Sequence, residues 1–382
     1  MVSFASHLRT GELIVSRERH KTNQKRCFMK RVSHFSVIAF LLTLLFTFQL
    51  ADACTRVLHV FKDNLVVTAR SMDWYVRYPT TIWKFPRGLS REGLTPNNPA
   101  QWTSRYGSVV IVQTAAGSQS ATADGLNEKG LVGNLMYLTE TDYGKRKPEI
   151  PGVASSIYLQ FILDNFASVK ETVEYLKTDK IQIVPVPIPN SEHLPTMHVS
   201  ISDSSGDSAI IEFLDGKVVI HHSRDYQVMA NSPTYERQLA LNAYWEEIGG
   251  NKFLPGTRNS ADRFVRASFY NNALPESKDY REAIASVMSI VRNVSSPYGR
   301  PDPQKPNIST TMWRGVADQT NLTYYYESTL SPNVIWVDLK KMDFSKGSGA
   351  KALEISDESN FHGEVNRFFE TRKPLEFARV PE

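Results

Sequence analysis

An apolar run from Phe35 to Leu50 ends in Ala51-Asp52-Ala53-Cys54 and follows a basic cluster of Lys21, Lys25, Arg26, Lys30 and Arg31. A basic stretch, a short apolar core and small residues three and one places before a bond mark a secretory leader. The run is short of the ~20 residues a membrane span needs. Residues 1–53 are therefore set aside from the fold, with Met29 as the start of a leader of more usual length. What remains, 329 of the 382 residues, is read as one domain over 54–382 that begins at Cys54.

Removing the leader changes the charge. Eight of the 44 Lys and Arg and three of the 40 Asp and Glu precede Cys54, leaving 36 basic and 37 acidic residues. A near-neutral mature chain offers no basic patch for nucleic acid. The second cysteine, Cys27, lies in the leader, so an exported chain would carry one thiol and no internal disulfide. A cysteine at a processed N-terminus holds a thiol nucleophile and a free amine on one residue. Their ordinary pKa values, ~8.5 and ~8, let the amine act as the base. The competing reading is a lipidated cysteine, but Leu50 stands four places before Cys54 rather than three. A lipid-anchored periplasmic binding protein is the alternative of a different class.

Strands and helices alternate in blocks. Cys54–Phe61 and Leu65–Arg70 are β-branched runs around Lys62-Asp63-Asn64, and Val109–Val112 and Leu131–Tyr137 read as further strands. Val153–Val169 has helical periodicity, with a second helix over Lys170–Leu176. Strands are expected again at Ile181–Val186, His198–Ser202, Ala209–Leu214 and Lys217–His221, the last two joined by the hairpin signal Asp215-Gly216. Helices are expected from Pro233 to Ala243, Asp262 to Tyr270 and Tyr280 to Val291. Strands at Thr310–Val316, Leu322–Glu327 and Val334–Asp338 come last. This order fits an α+β fold of two sheets with helices outside, better than a wound parallel sheet. The polar tail after Met342 is expected to be loose.

If Asp63-Asn64 is a two-residue turn, Lys62 faces Leu65 and Cys54 faces Asp73, with Arg70 three residues back on that strand. A carboxylate would then hold the new ammonium, and a guanidinium would favour thiolate. An ordinary surface ion pair is the bland alternative for Arg70 and Asp73.

Further motifs extend the pattern. CTR at Cys54, TARSMDW (Thr68–Trp74), DGLNEKGLVGNLMYL (Asp124–Leu138), SGDSAIIEFLDGKVVIH (Ser205–His221), YQVMANSPTYERQL (Tyr226–Leu239) and ADRFVRASFY (Ala261–Tyr270) together resemble the choloylglycine hydrolase family. That family comprises penicillin V acylases and conjugated bile acid hydrolases. The resemblance runs in family order from Cys54 to about Val337. It implies the four-layer αββα sandwich of N-terminal-nucleophile hydrolases, often tetrameric. It also implies Cys54 as nucleophile, Arg70 and Asp73 beside it, Asn231 as an oxyanion donor and Arg263 as a second arginine, with Arg266 the alternative. Tyr137 falls on the remaining oxyanion position, where bile-acid-hydrolysing relatives usually have asparagine. This departure favours the acylase branch, with Tyr137 serving through its backbone N–H.

The implied reaction is hydrolysis of a linear amide through a thioester, in the periplasm or outside the cell. The implied partner is a small amide: penicillin V, an N-acyl homoserine lactone or a conjugated bile acid. No cofactor is expected, and without HExxH or a Cys/His cluster no metal is expected either. His193, His198, His221 and His222 read as solvated or core histidines. Trp74, Tyr137, Tyr143 and Phe61 either line an acyl pocket or pack in the core. Asn-X-Ser/Thr sequons begin at Asn293, Asn307 and Asn321.

Overall fold

The run Val109–Val112 is apolar at every position because its strand is covered on both faces. Val109 and Ile111 pack in one buried cluster, whereas Val110 and Val112 pack in another. The same alternation separates Ile210 from Ala209 and Ile211. Two apolar faces on one sheet require a layer on each side, and that requirement sets the architecture.

The structure is a computed structural model, and it describes residues 54–115, 119–187, 195–249, 252–299, 310–356 and 359–382. The leader, Cys27, Met29, His193 and Asn307 lie outside the described residues. The chain divides into two units, Met1–Leu50 and Ala51–Glu382, and every described element belongs to the second.

Strands of the two main sheets are numbered in chain order: β1 Thr55–Val60, β2 Val66–Trp74, β3 Thr80–Phe85, β4 Ser108–Ala115, β5 Gln119–Asn127, β6 Val132–Tyr137, β7 Met197–Ser202 and β8 Ser208–Leu214. They continue with β9 Lys217–His222, β10 Val228–Ala230, β11 Thr310–Asp318, β12 Thr323–Ser328, β13 Val334–Asp338, β14 Lys351–Ile355, β15 Gly363–Glu364 and β16 Glu370–Thr371. The first sheet runs β10-β1-β2-β11-β12-β13-β15 and the second β9-β8-β7-β6-β5-β4-β3-β14-β16. Pairing is antiparallel throughout except β13 with β15.

Helices α1 (Tyr158–Asn165) and α2 (Val169–Leu176) cover the outer face of the second sheet. Helices α3 (Tyr235–Ile248), α4 (Ser260–Asn272) and α5 (Tyr280–Asn293) come next in the chain, and α4 and α5 cover the first sheet. The layers are α, β, β, α, as expected. Among the described residues no helix is long and apolar enough to cross a membrane.

Several local expectations are corrected. The helix expected over Val153–Val169 is a short strand, Gly152–Ala154, followed by α1. Ser168 then starts α2, its side chain accepting the Glu171 N–H while Glu171 accepts the Ala167 N–H, a variant of the capping box. The strand expected at Ile181–Val186 is limited to Gln182–Val184. The tail is not loose: β14 pairs with β3, and Phe344, Leu353, Val365, Phe369, Phe377 and Ala378 are buried. Its polar residues face outward while every few positions an apolar side chain anchors it.

Candidate active site

Cys54 immediately precedes β1, the strand next to the β10 edge of the first sheet. Continuing the β1–β10 register, Thr55↔Ala230, sets Asn231 beside it on one side. Continuing the β1–β2 register, Thr55↔Ser71, sets Met72 beside it on the other. The expected pairing of Cys54 with Asp73 is therefore one residue off. The cause is the hairpin: Asn64 adopts a left-handed φ of 59°, the Asn64 N–H bonds Phe61 O, and Phe61 N–H bonds Leu65 O. That is a three-residue loop rather than a two-residue turn.

The one-residue shift exchanges faces. Arg70 and Met72 lie on the face of Cys54, toward the second sheet. Asp73 lies on the opposite face, toward α4. Arg70 reaches across the sandwich, its Nη1 donating to Ala123 O at 3.0 Å and Leu135 O at 3.2 Å. Its Nη2 donates to Cys54 Sγ at 3.3 Å and Met72 Sδ at 3.3 Å. Asp124 sits 3.5 Å from Nη1 and is itself held by Asn134 and Tyr324, each at 2.8 Å. The guanidinium packs over Trp313, 4.9 Å from the ring centre.

Asp73 meets Cys54 through its backbone: its N–H donates to Cys54 Sγ at 3.4 Å. Its carboxylate is paired with Arg263 through Oδ2, and both side chains are fully buried. Oδ1 has no hydrogen-bond partner. Arg263 also donates to Arg258 O at 2.8 Å and Ser296 Oγ at 2.6 Å. Arg266, by contrast, ties down Pro255 O and Thr257 O. Of the two arginines, only Arg263 is paired with Asp73.

Burial pushes the Cys54 thiol above its ordinary pKa, against the opposing charge of Arg70. Arg70 favours the thiolate, in the expected direction, but desolvation outweighs one guanidinium. A neutral thiol here needs a base to react.

Strands β5 and β6 pair from Leu126↔Val132 to Asp124↔Asn134 and then part. The Arg70 guanidinium occupies the start of this split. Leu138 N–H bonds Thr196 O, on the β7 side, so the alternate residues Leu135 and Tyr137 turn their backbone groups toward the split. The Leu135 O–Arg70 bond agrees with that direction. The Tyr137 N–H thus faces the same space as Cys54.

That space is a pocket of about 890 Å³, its open mouth included. Its walls include Cys54, Met72, Trp74, Tyr78, Ala123, Leu135, Tyr137, Val186 and Met197, and among the described residues no charged side chain lines it. Trp74 and Tyr137 meet edge to face, centroids 6.0 Å apart. The other two aromatic candidates do not line it. Phe61 packs on His59 in the core, and Tyr143 packs on Phe213 behind the wall, bonded to Met197 N–H.

Gln238 was not legible from spacing. It is fully buried, and its side-chain amide grips the Asn231 turn: Oε1 accepts Ala230 N–H at 3.0 Å, while Nε2 donates to the carbonyls of Ala230, Asn231 and Pro233 at 3.0, 2.6 and 2.5 Å. Glu212 supports the same segment, accepting Tyr235 N–H at 2.8 Å. Against burial, the His198 ring 3.6 Å away and the hydrogen bond with His221 at 3.2 Å hold Glu212 at about 2. His222 pairs with Asp207 at 2.9 Å. Among the described residues no group of three His, Cys, Asp or Glu is placed to hold a metal ion.

Comparison with known proteins gives the family. A family model described as linear amide C–N hydrolases, choloylglycine hydrolase family, matches residues 54–356. Penicillin V acylase of Pectobacterium atrosepticum is 45% identical over 347 residues, covering 85% of this chain and 92% of the relative. The structure of penicillin V acylase from Agrobacterium tumefaciens has a TM-score of 0.78 at 47% identity, covering 86% of this chain and 100% of that one. A variant of conjugated bile acid hydrolase from Clostridium perfringens gives 0.67 at 25% identity, covering 81% and 99%. The chain belongs to the choloylglycine hydrolase family and is a hydrolase of linear amide C–N bonds.

Proposed function

We propose that the protein is an exported penicillin V acylase-like enzyme with Cys54, freed by removal of residues 1–53, as its nucleophile. The observation that carries this reading is the position of Cys54 Sγ: bonded by Arg70, and on the wall of an aromatic-lined pocket whose described lining residues are all uncharged. Such a pocket suits an aryloxyacetyl or acyl group. The 45% identity to a penicillin V acylase, against 27% to a bile salt hydrolase/transferase of Clostridium perfringens, supports the acylase branch over the bile acid branch.

In this reading the α-amine of Cys54 takes the thiol proton as Sγ attacks the amide carbonyl. The amine is the group the raised thiol needs, since its ordinary value is near ~8. The oxyanion is received by the Asn231 side chain and the Tyr137 N–H. Removing one such donor typically costs ~10²–10³ in rate. The C–N bond then breaks, the ammonium returns its proton to the leaving amine, and a thioester remains. Water, deprotonated by the same amine, adds to the thioester; the C–S bond breaks, the acid departs and the ammonium returns its proton to Sγ. Asp73 anchors the new ammonium through its unpartnered Oδ1, while Arg263 holds Oδ2.

Export rests on the leader signature, and the tetramer of the family resemblance is consistent with the exposed Tyr244 and Phe253 near the α3 end. Light scattering of the purified protein tests the assembly. For the activity, purified enzyme is assayed on penicillin V, an N-acyl homoserine lactone and a glycine-conjugated bile acid. The highest kcat/KM is expected on penicillin V, and Cys54→Ala abolishes it. Undiminished turnover by Cys54→Ala overturns the mechanism, and a preference for the bile acid overturns the branch.

A further inference from the structure

The C-terminal tail forms part of the same pocket. Phe377 and Ala378 lie along β5 as an added parallel strand fragment: Phe377 bridges Ser120, and the Ala378 N–H bonds Ser120 O at 2.9 Å. The Ala378 carbonyl accepts Ser156 Oγ at 2.6 Å. Two residues on, Val380 N–H bonds Leu94 O at 3.0 Å. The backbone at 378 is therefore fixed on both sides. Phe377 packs against Phe85 and the Arg91 guanidinium, within the buried cluster on the outer side of the second sheet. Ala378 is buried in the same cluster as Phe377, at its edge toward the pocket. Ala378 lines the pocket, together with Ser120 and Ser156.

The distance from the nucleophile can be read along β5. Ala123 O accepts the guanidinium that bonds Cys54 Sγ. Ser120 lies three residues back, about 10 Å at ~3.3 Å per residue. The wall at Ala378 thus stands well away from the reacting carbonyl, where the far end of an acyl group would arrive. Its methyl side chain keeps that end open. The wall is held by backbone hydrogen bonds and by the Phe377 anchor, and the buried cluster fills its other side, so a larger side chain at 378 crowds the pocket.

The geometry points to Ala378 as a specificity-determining residue: the C-terminal tail sets the length of acyl group the enzyme takes. This rests on the proposed function, in which the acyl group occupies this pocket. The substrates that report it are chromogenic anilides of straight-chain acids from butanoyl to dodecanoyl.

The test measures kcat/KM across this series for wild-type enzyme, Ala378→Leu and Ala378→Gly, with thermal melts alongside. Ala378→Leu is expected to lower the ratio of decanoyl to butanoyl turnover at least tenfold. Ala378→Gly, which removes one methyl and leaves the backbone bonds in place, is expected to raise the ratio twofold or more. If the leucine variant does not fold, the glycine variant decides. A chain-length ratio that stays within 1.5-fold of wild type in each variant that folds overturns the inference while leaving the amidase intact. A wild-type enzyme inactive on these anilides and on penicillin V overturns the proposed function, and the inference with it.

Discussion

Replacing Gln238 with leucine separates the support of the site from its chemistry. The side chains are similar in size, and Gln238 is fully buried, so packing is largely kept. What goes is the polar grip on the Asn231 turn: one bond to the Ala230 N–H and three to carbonyls. A buried donor left without a partner costs ~1–3 kcal/mol. The three carbonyls each keep a second lone pair and cost less, so the expected destabilisation is about 2–4 kcal/mol. The catalytic effect is separate. Asn231 is held beside Cys54 by the β1–β10 register and this clamp. Loosening it weakens the proposed oxyanion donor, and full loss of such a donor is worth ~10²–10³ in rate. The expected result is a fall in kcat of ~10–100-fold with KM within about threefold, because the donor acts in the transition state. The assay is steady-state hydrolysis of penicillin V beside urea denaturation. A variant destabilised as expected but with unchanged kcat would refute the claim that Gln238 positions Asn231.

How much of this was open to sequence reasoning depends on the kind of residue. The Asp215-Gly216 hairpin is as expected, both residues having positive φ (51° and 72°) and Leu214 facing Lys217. That signal is local, since few other dipeptides accept the geometry. The Lys62-Asp63-Asn64 loop was ambiguous by one residue, because Asn64 tolerates a left-handed conformation and so permits the longer loop. The error moved Asp73 to the other face of the sheet. Its partner, Arg263, comes from α4, 190 residues away, and no spacing rule could supply it. Strand β5 went unread because Asp124 and Gly125 interrupt its apolar pattern and a bulge displaces its register with β4. Asp124 is there to face Arg70, so the interruption is itself part of the site. Gln238 was invisible for a similar reason: a glutamine early in a helix looks solvated until the turn it clamps is seen.

The buried charges carry two more expected outcomes. Asp73→Asn keeps the shape but leaves Arg263 without its carboxylate; breaking a buried pair costs ~3–5 kcal/mol, read as a lower urea midpoint, and activity is expected to fall at least 100-fold. A stable, active Asp73→Asn enzyme would show that the pair is dispensable. Glu212 is held at about 2 in the folded chain, below its ordinary 4.5. The folded state binds that proton more weakly, so the stabilisation is full above about pH 4.5 and is lost as pH falls toward 2. Glu212→Gln should therefore flatten the stability curve between about pH 5 and pH 3, measured by urea unfolding at each pH. Equal slopes for variant and wild type would contradict the assignment.

The central claim is that Cys54 acts with a free amine on its own residue. Intact mass of the secreted protein, taken on the same sample as its penicillin V turnover, tests this most directly. The account predicts a chain starting at Cys54 with nothing attached, and activity proportional to the fraction so processed. Full activity in a species that retains Ala53, or that carries a lipid on Cys54, would contradict it.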